Sequence, residues 1–525
     1  MSDTSNASRF AIATPHPEAA RAGRDVLEQG GNATDAAVAA MLTLCVVMPG
    51  SVGIGGYGGS MVLYSAKTCR VHAIDFDSRA PAAYRDELFT EPATRNTGYL
   101  SVTVPAIVAG LDLGRRDFGT MSWAQLSRHA IEIAERGFPM DAELNRHADH
   151  FAAKADAVSL RAQFPSGAAP AVGEPFVQPD LARLMRRLAD EGPESFYHGN
   201  VPRAIVKQIR DQGGILSEED FARYQPTLSE PVSINYRGHD LFTAPPPSGG
   251  ITSLGILKTL EQFEIRPLDP CGAPYFHLFV EAAKRCWRER HQYLGDPDFV
   301  RIPVDELLSA QSASQKAAEI RKGNLAHGGE IFSPGSGPHT ANVCVVDADR
   351  NVVSLTATQG YQFGAMVCIE GLGLVLGHGM SRFDFIPGHP NAPAPNKRMF
   401  HNMSPTIVMR DGAPVAAIGM PGGPKIVTVT AQLAANLIDF GMSAEQTVTA
   451  PRVHTEGGEQ IAVSSAVPET TVDELKSQGH SVRRGQDVGG PKSEIGGQAN
   501  AITIDPTTGA LSAASGHGPA AVAVG

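Results

Sequence analysis

The junction at Thr340 limits how this chain can fold more than any other stretch of the sequence. Residues 323–338 are rich in Gly, Ser and Pro, whereas residues 343–346 and 352–358 are rich in Val and Thr. This pattern predicts a flexible loop running directly into buried strands, with Thr340 at the mouth of the first. A chain cut just before Thr340 would begin with a Thr whose own amine is free, a recognised type of covalent catalyst. An ordinary loop entering an ordinary strand is the alternative, and this stretch taken alone favours it.

The composition describes a soluble globular protein and excludes one class of partner. The 525 residues are 42% hydrophobic and 19% charged, which is enough apolar material for a sizeable core. A chain of this length can hold several domains or one large layered fold. The formal net charge is -11 and no run of Lys and Arg occurs, so we expect no nucleic-acid partner.

The cysteines and the apolar stretches indicate the cellular compartment of the protein. The six cysteines are scattered with no CxxC pair, which predicts free and mostly buried thiols in a reducing compartment. The first nine residues are polar, so they do not resemble a signal peptide. The longest apolar stretch, residues 36–48, is too short to span a bilayer. We therefore expect a cytoplasmic protein without a membrane partner.

The first residues predict a strand, two helices and a tight crossing. Residues 10–13 favour a strand, and residues 17–29 favour a helix that ends at two glycines. A second, buried helix is capped by Asn32 or Thr34 and runs through Val47. Residues 53–58 then match GxGxxG. A dinucleotide site needs that motif after a strand and before a helix, whereas here it follows a helix and precedes an apolar strand. We therefore predict a close backbone crossing and no cofactor site.

Two further groups of polar residues are ambiguous on local evidence. Asp77 and Arg79 follow a strand predicted at residues 71–76, where charged side chains are more often solvated than functional. His147 and His150 are three residues apart with no third ligand nearby, so they are interpreted as surface histidines rather than a metal site. Longer helices are predicted at residues 123–136, 179–191, 274–293 and 427–440.

Several short motifs occur in one order along nearly the whole chain. They are Gly30-Gly31-Asn32-Ala33-Thr34-Asp35, the glycine-rich turn at residues 53–59, Pro245-Pro246-Pro247-Ser248-Gly249-Gly250, Leu294-Gly295-Asp296-Pro297, Thr340 to Asp347, Met403-Ser404-Pro405-Thr406 and Pro421-Gly422-Gly423. Together, over residues 8–520, they resemble the γ-glutamyltransferase (γ-glutamyltranspeptidase) family of N-terminal-nucleophile hydrolases. No single motif is specific, but their joint occurrence is.

The resemblance implies a fold and an activation step. The fold is of the α+β class, a four-layer αββα N-terminal-nucleophile hydrolase sandwich made as one precursor. The precursor is cut between His339 and Thr340 into a large chain, residues 1–339, and a small chain, residues 340–525, which together form that fold. Before the cut the Thr340 nitrogen is an amide and cannot act as a base, so cleavage activates the enzyme.

The resemblance also assigns the catalytic residues. Thr340 is the nucleophile, and its α-amine takes the proton. The backbone N–H groups of Gly422 and Gly423 stabilise the oxyanion, where one donor contributes about 3 kcal/mol. Thr358 hydrogen-bonds the nucleophile. Water or an amine then resolves the acyl-enzyme.

The substrate pocket departs from the family pattern. Asp77 stands where the family has the Arg that holds the substrate α-carboxylate, although Arg79, two residues on, is on the same face if the strand persists. Arg382 stands where the family has an Asp for the α-amino group. The other changes are His401 and Asn402 for a pair of serines, and Gly360 and Gly379 for an Asn and a Gln. The charge is thus inverted at both ends of the site, which penalises a γ-glutamyl group.

These observations favour an amidohydrolase or acyltransferase acting on an amide whose acyl group carries a carboxylate read by Arg382. Oxamate-like amides, dicarboxylic monoamides and cephalosporin-acylase-like side chains are of this type. One alternative is a true γ-glutamyltransferase or glutathione hydrolase that uses Arg79. Another is an unprocessed, non-catalytic member that acts as a binding protein. No cofactor or metal is expected; the partners are a small-molecule amide and the other chain of the same precursor, and a homo-oligomer is left open.

Overall fold

The computed structural model describes residues 9–326, 339–485, 495, 498–516, 518 and 522–525. Most of the loop predicted before Thr340, residues 327–338, lies outside the described residues, so its predicted flexibility stays a prediction. Across the described ranges, no helix combines the length and apolar character needed to cross a bilayer.

Strands and helices occur in separate runs along the chain and the two large sheets are antiparallel, so the class is α+β. The strands are β1 (Ala11–Ala13), β2 (Gly58–Ser65), β3 (Arg70–Asp75), β4 (Phe138–Pro139), β5 (Pro175–Phe176), β6 (Thr227–Ser229), β7 (Val232–Tyr236), β8 (His239–Thr243), β9 (Thr340–Val346), β10 (Val352–Thr358), β11 (Cys368–Ile369), β12 (Leu374–Val375), β13 (Thr406–Arg410), β14 (Ala413–Gly419), β15 (Val453–His454), β16 (Gln460–Val463), β17 (Ser481–Arg484), β18 (Asn500–Ile504), β19 (Leu511–Ser515) and β20 (Val522–Val524).

The helices are of very different lengths. They are α1 (Pro17–Glu28), α2 (Ala33–Val47), α3 (Pro92–Asn96), α4 (Ile107–Phe118), α5 (Trp123–Arg136), α6 (Ala142–Lys154), α7 (Ala157–Gln163), α8 (Pro179–Glu191), α9 (Asn200–Asp211), α10 (Glu218–Arg223), α11 (Gly250–Leu260), α12 (Ala273–Tyr293), α13 (Val304–Leu307), α14 (Ala310–Arg321), α15 (Lys425–Ile438), α16 (Ala444–Thr449) and α17 (Glu469–Ser477).

A seven-stranded antiparallel sheet, ordered β20-β1-β9-β10-β2-β3-β6, carries the predicted nucleophile. Every residue of β9 and β10 is buried, which explains their Val- and Thr-rich sequences. The register of this pair runs from Val346 opposite Val352 to Thr340 opposite Thr358. The two threonines therefore lie at the same edge of the sheet.

A second antiparallel sheet, ordered β19-β18-β14-β13-β8-β7, faces the first. One buried cluster contains residues of both sheets, including Ala11, Cys344, Ile407, Ala417 and Ile502. Small side chains in this cluster allow the sheets to approach closely, as expected for facing sheets.

Asn342 joins the two sheets two residues after Thr340. Its fully buried side chain donates to the carbonyl of Leu355 at 3.1 Å and to Oγ1 of Thr356 at 3.1 Å, both on β10. From the second sheet, Nδ2 of Asn500 donates to the Asn342 carbonyl at 2.9 Å. A Cβ at Gly419 of β14 would lie 2.2 Å from Nδ2 of Asn342, so only glycine fits there. These contacts therefore fix the positions of β9, β10, β14 and β18 relative to one another near Thr340.

Helices cover the outer faces of both sheets. All fifteen residues of α2 are buried, and the capping box between Asn32 and Asp35 fixes its start, as the sequence predicts. The cluster around α2 joins it to the first sheet, and a separate cluster joins α11, α12 and α15 to the second. The helices predicted at residues 123–136 and 179–191 are confirmed with these bounds.

The glycine-rich turn at residues 53–59 is a backbone crossing, as predicted. It follows α2 and leads into β2. A Cβ at Gly55 would lie 2.2 Å from the carbonyl oxygen of Val375, and one at Gly59 would lie 2.3 Å from the Phe76 ring. All six cysteines are free; four are buried, Cys271 is half-buried, and Cys69 is exposed.

Candidate active site

Thr340 and Thr358 form the centre of the site. The register of β9 and β10 sets them opposite each other, and both side chains are buried. The Thr340 hydroxyl donates to Oγ1 of Thr358 at 3.2 Å. The predicted hydrogen bond between these two residues is therefore present in the uncut chain.

The Thr358 hydroxyl links the predicted nucleophile to the predicted scissile peptide. It donates to the carbonyl oxygen of His339 at 2.7 Å, and it accepts from the backbone N–H of Gly360 at 2.9 Å. Donation to a carbonyl oxygen polarises the carbonyl and favours attack on its carbon. The Thr358 hydroxyl thus accepts a hydrogen bond from Thr340 and donates one to the peptide carbonyl that Thr340 would attack.

The His339 side chain is buried between other rings. Its centroid lies 5.1 Å from that of His147 and 5.2 Å from that of Tyr361. The interpretation of His147 as a surface residue is therefore wrong, since it is only 5% exposed, while His150 is partly buried. Burial and neighbouring histidines lower the pKa of His339 well below its usual value, and burial lowers that of His147 to about 4.

His378 fixes the loop after Thr358. Its Nε2 accepts from the N–H of Tyr361 at 2.7 Å, so the hydrogen lies on Nδ1, which faces the Asn96 carbonyl at 2.8 Å. Burial lowers the pKa of His378 to about 3, with the Arg382 charge lowering it further. The ring is neutral and held at both nitrogens.

Gly422 and Gly423 lie in the turn between β14 and α15. Their φ angles are 143° and 58°, a region that favours glycine. Among the described residues, neither N–H has an acceptor. The preceding strand ends against Asn342, two residues from Thr340, so the pair lies at the strand ends that carry the predicted nucleophile. Two free N–H groups suit the predicted oxyanion role.

Asp77 and His401 are in direct contact, although 324 positions separate them in the sequence. Nε2 of His401 lies 2.5 Å from Oδ2 of Asp77, and both side chains are buried. The N–H of Met403 donates to Nδ1 of His401 at 3.1 Å, so the ring hydrogen is on Nε2. Burial raises the pKa of Asp77 and lowers that of His401 to about 3. Solvation of Asp77, the more frequent case at a strand exit, does not occur here.

Asp75, Asp77 and His401 place one potential ligand atom each within 4.8 Å of one another. The Arg398 guanidinium donates to Asp75 at 2.9 Å and to Asp296 at 2.7 Å, and all three of these side chains are buried. A cation would have to displace Arg398 and the His401 hydrogen. Arg398 therefore already supplies the positive charge beside Asp75 and Asp296, which disfavours a metal ion at this position.

Arg79 is engaged at the rim of this cluster. Its guanidinium lies 3.6 Å from Asp298 and 3.9 Å from Asp296, and it donates to the Asn396 carbonyl at 3.0 Å. It is already paired with carboxylates, which limits its capacity to hold a substrate carboxylate.

Arg382 differs from Arg79 because it has no carboxylate partner within the described ranges. Its Nε–H donates to Oγ of Ser381 at 3.2 Å, and its side chain is partly buried. The buried Tyr57 is close enough to both Arg382 and Asp77 to be influenced by their charges. Burial is the largest effect and raises the pKa of Tyr57 to about 12. Of the two neighbours, Arg382 lowers this pKa and Asp77 raises it. Tyr57 was not identified as a site residue from the sequence, because the turn at residues 53–59 was interpreted from its glycines alone.

Arg290 supports the loop that carries His401 and Asn402. From the buried face of α12 it donates to the His401 carbonyl at 2.8 Å and to Oδ1 of Asn402 at 2.9 Å. Its guanidinium stacks 4.2 Å from the centroid of the Phe400 ring. Arg290 and Arg398 were not predicted.

Gly360 and Gly379 lie in spaces filled by other residues. A Cβ at Gly360 would lie 2.1 Å from the His378 ring, and its φ is +102°. A Cβ at Gly379 would lie 2.1 Å from Oγ1 of Thr103. The positions where the family has an Asn and a Gln are thus closed to any side chain here.

The γ-glutamyltranspeptidase family model matches residues 19–523 of the chain. The chain belongs to this family. Its members are N-terminal-nucleophile hydrolases, and the protein is accordingly an enzyme of the amidohydrolase and acyltransferase type, as predicted.

Relatives of two kinds share nearly the whole chain. It is 32% identical over 496 residues to the glutathione hydrolase proenzyme of Bacillus subtilis (strain 168), covering 89% of this chain and 84% of that protein. It is 35% identical over 514 residues to the Acylase ACY 1 proenzyme of Pseudomonas sp. (strain SE83), covering 95% and 90%. The crystal structure of cephalosporin acylase from Bacillus halodurans superimposes with a TM-score of 0.90 at 29% identity, covering 99% of this chain and 96% of that one.

Proposed function

We propose that this γ-glutamyltranspeptidase-family member is a self-cleaving amidohydrolase or acyltransferase that forms an acyl-enzyme on Thr340. The observation that carries the proposal is the hydrogen-bonded series from the Thr340 hydroxyl through Thr358 to the His339 carbonyl. The products of cleavage are a large chain, residues 1–339, and a small chain, residues 340–525. The facing sheets with helices on their outer sides support a four-layer αββα arrangement for the two chains together.

Self-cleavage follows from this geometry in two steps. Oγ1 of Thr340 attacks the carbonyl carbon of His339, the C–N bond breaks, and the nitrogen takes a proton to become the free α-amine. The resulting ester between His339 and Thr340 is hydrolysed by water, which leaves a carboxylate on His339 and restores the Thr340 hydroxyl. Thr358 favours the first step because it donates to the carbonyl oxygen.

In the cleaved enzyme the α-amine of Thr340 becomes the base. It takes the hydroxyl proton as Oγ1 attacks the substrate amide, and the N–H groups of Gly422 and Gly423 stabilise the oxyanion. The amine product leaves with a proton. Water or a second amine then attacks the acyl-enzyme and releases the acid or the transfer product.

The substrate proposed is an amide whose acyl group carries a carboxylate. Arg382 is a cation without a carboxylate partner in the described ranges, so an acyl carboxylate would be its natural counter-ion. At the opposite charged position Asp77 is buried against His401, and Arg79 is held by carboxylates. The acylases among the relatives support a family member adapted to acyl groups other than γ-glutamyl.

The intact mass of the purified wild type and Thr340→Ala tests the chemistry. We expect two chains in the wild type, split between His339 and Thr340, and one uncut chain in the variant. Thr43→Ala, which removes a buried hydroxyl on α2, is the matched control and should cleave normally. A split that persists in Thr340→Ala would refute the nucleophile, and an uncut wild type would support a binding protein. Faster turnover of a γ-glutamyl anilide than of oxamate or a glutaryl anilide would refute the substrate class.

A further inference from the structure

Residue His339 is held at both its backbone and its side chain. Its carbonyl oxygen accepts the hydrogen bond from Thr358, and its ring packs against His147 and Tyr361. The ring is only 2% exposed, and His147 in turn packs on Gly50, where a Cβ would lie 2.8 Å from its Nδ1. A loop residue free to rotate could not keep its carbonyl on the Thr358 hydroxyl, whereas a seated ring fixes the peptide plane.

Shape rather than hydrogen bonding holds the ring. Nδ1 of His339 is buried without a hydrogen-bond partner among the described residues. The titratable groups that influence it are His147, His150, His378 and Arg146, all of which are cations when charged. The site therefore accepts a neutral flat ring and disfavours a charged one.

We propose that the His339 imidazole, seated between His147 and Tyr361, is a positioning group for self-cleavage. It sets the scissile carbonyl on the Thr358 hydroxyl and within reach of Thr340, and it takes no part in bond making. Because Nδ1 has no partner within the described ranges, burying the ring costs the hydrogen bond that Nδ1 would make with water. This inference rests on the proposed self-cleavage.

The test follows the rate of self-cleavage in the full-length chain by intact mass, from freshly purified precursor. We expect His339→Ala and His147→Ala to slow cleavage at least about tenfold, because the carbonyl is no longer held. His339→Phe keeps a flat uncharged ring, so it should cleave within about threefold of wild type at neutral pH. Burial holds the pKa of His339 well below 6.5, so only at a pH low enough to protonate that ring should wild type lose more of its rate than His339→Phe, whose ring cannot be protonated. His72→Ala, which removes a ring packed on Phe118, is the matched control and should not change the rate.

Melting temperature and activity per cleaved molecule separate positioning from misfolding. A positioning role predicts that slow variants melt close to wild type and that their cleaved fraction has wild-type activity. Wild-type cleavage rates in His339→Ala and His147→Ala would overturn the inference while leaving self-cleavage intact. A wild-type chain that never splits between His339 and Thr340 would instead overturn the proposed function. Equal slowing in His339→Phe and His339→Ala, with unchanged melting, would also refute a role for the ring's shape.

Discussion

The hydroxyl oxygens of Thr340 and Thr358 lie 3.2 Å apart on directly opposed residues of neighbouring strands. Because Thr358 also donates to the His339 carbonyl, one hydroxyl contacts both the attacking group and the bond to be broken. Both contacts depend on the register of β9 and β10, which the buried valines of the two strands specify. The rigid core thus determines the geometry of the candidate reaction.

Removing the Thr358 hydroxyl should slow self-cleavage. Thr358→Val keeps the shape but loses the donor to the His339 carbonyl, and loss of one such donor costs roughly 10²–10³-fold in rate. Thr358→Ser retains a hydroxyl and should cleave within about tenfold of wild type. Intact mass against time measures both rates. Equal rates for Val and Ser would contradict the role of the hydroxyl.

Replacing Arg382 should impair turnover of carboxylated amides. Arg382→Gln removes a charge-assisted contact, and a loss of about 2–3 kcal/mol corresponds to roughly 10²-fold in kcat/KM. An uncharged amide of the same size should be turned over equally by variant and wild type. Arg79→Gln tests the alternative. If Arg79→Gln abolishes activity and Arg382→Gln does not, the substrate carboxylate is bound by Arg79.

The strands and the turn that carry the site have local signals in the sequence, whereas the catalytic roles of their residues came from the chain-wide resemblance. The ends of β9 and β10 follow from apolar runs bounded by loop residues, and Gly422 and Gly423 mark a turn that needs positive φ. The charged pocket was less predictable because its contacts join distant positions. Asp77 meets His401, and Arg398 meets Asp75. Whether a charged residue is buried depends on its partner, and one sequence does not show which distant residues pair.

The same limitation explains the histidines near the scissile bond. His147 and His150 have helical spacing and no nearby third ligand, which locally suggests solvent exposure. They contact His339 and Tyr361 because α6 packs beside the loop that carries Tyr361. The family resemblance assigned Thr340 as the nucleophile, but it did not indicate which residues hold His339.

Asn342 should matter for stability more than for chemistry. Asn342→Leu removes the side-chain hydrogen bonds to the Leu355 carbonyl and to Oγ1 of Thr356, and the one from the Asn500 amide to Oδ1, all in a buried interface. Loss of buried hydrogen bonds with unsatisfied partners costs about 2–4 kcal/mol. Urea unfolding in the uncut Thr340→Ala background measures this, with Asn235→Ala, which removes an exposed hairpin contact, as control. A change below about 1 kcal/mol for Asn342→Leu would contradict its role in joining the sheets.

Acid should destabilise the protein through its buried histidines, and His378 tests this. Its pKa is lowered from the ordinary 6.5 to about 3 by burial, so between these values the unfolded chain binds the proton and the folded chain does not. The stability it contributes is present above pH 6.5 and is lost as the pH falls toward 3. Asp75 acts in the opposite sense, because burial raises its pKa to about 6 and its contribution is lost as the pH rises through 6.

The difference between wild type and His378→Gln isolates the histidine from Asp75. Gln can accept from the Tyr361 N–H and donate to the Asn96 carbonyl as His378 does, but it does not titrate. In the uncut Thr340→Ala background, lowering the pH from 7 to 4.5 should cost the His378 protein about 2–3 kcal/mol more unfolding free energy than the Gln variant. Urea unfolding at both pH values measures the difference. An equal acid loss in the two proteins would mean that His378 is not held neutral in the folded state.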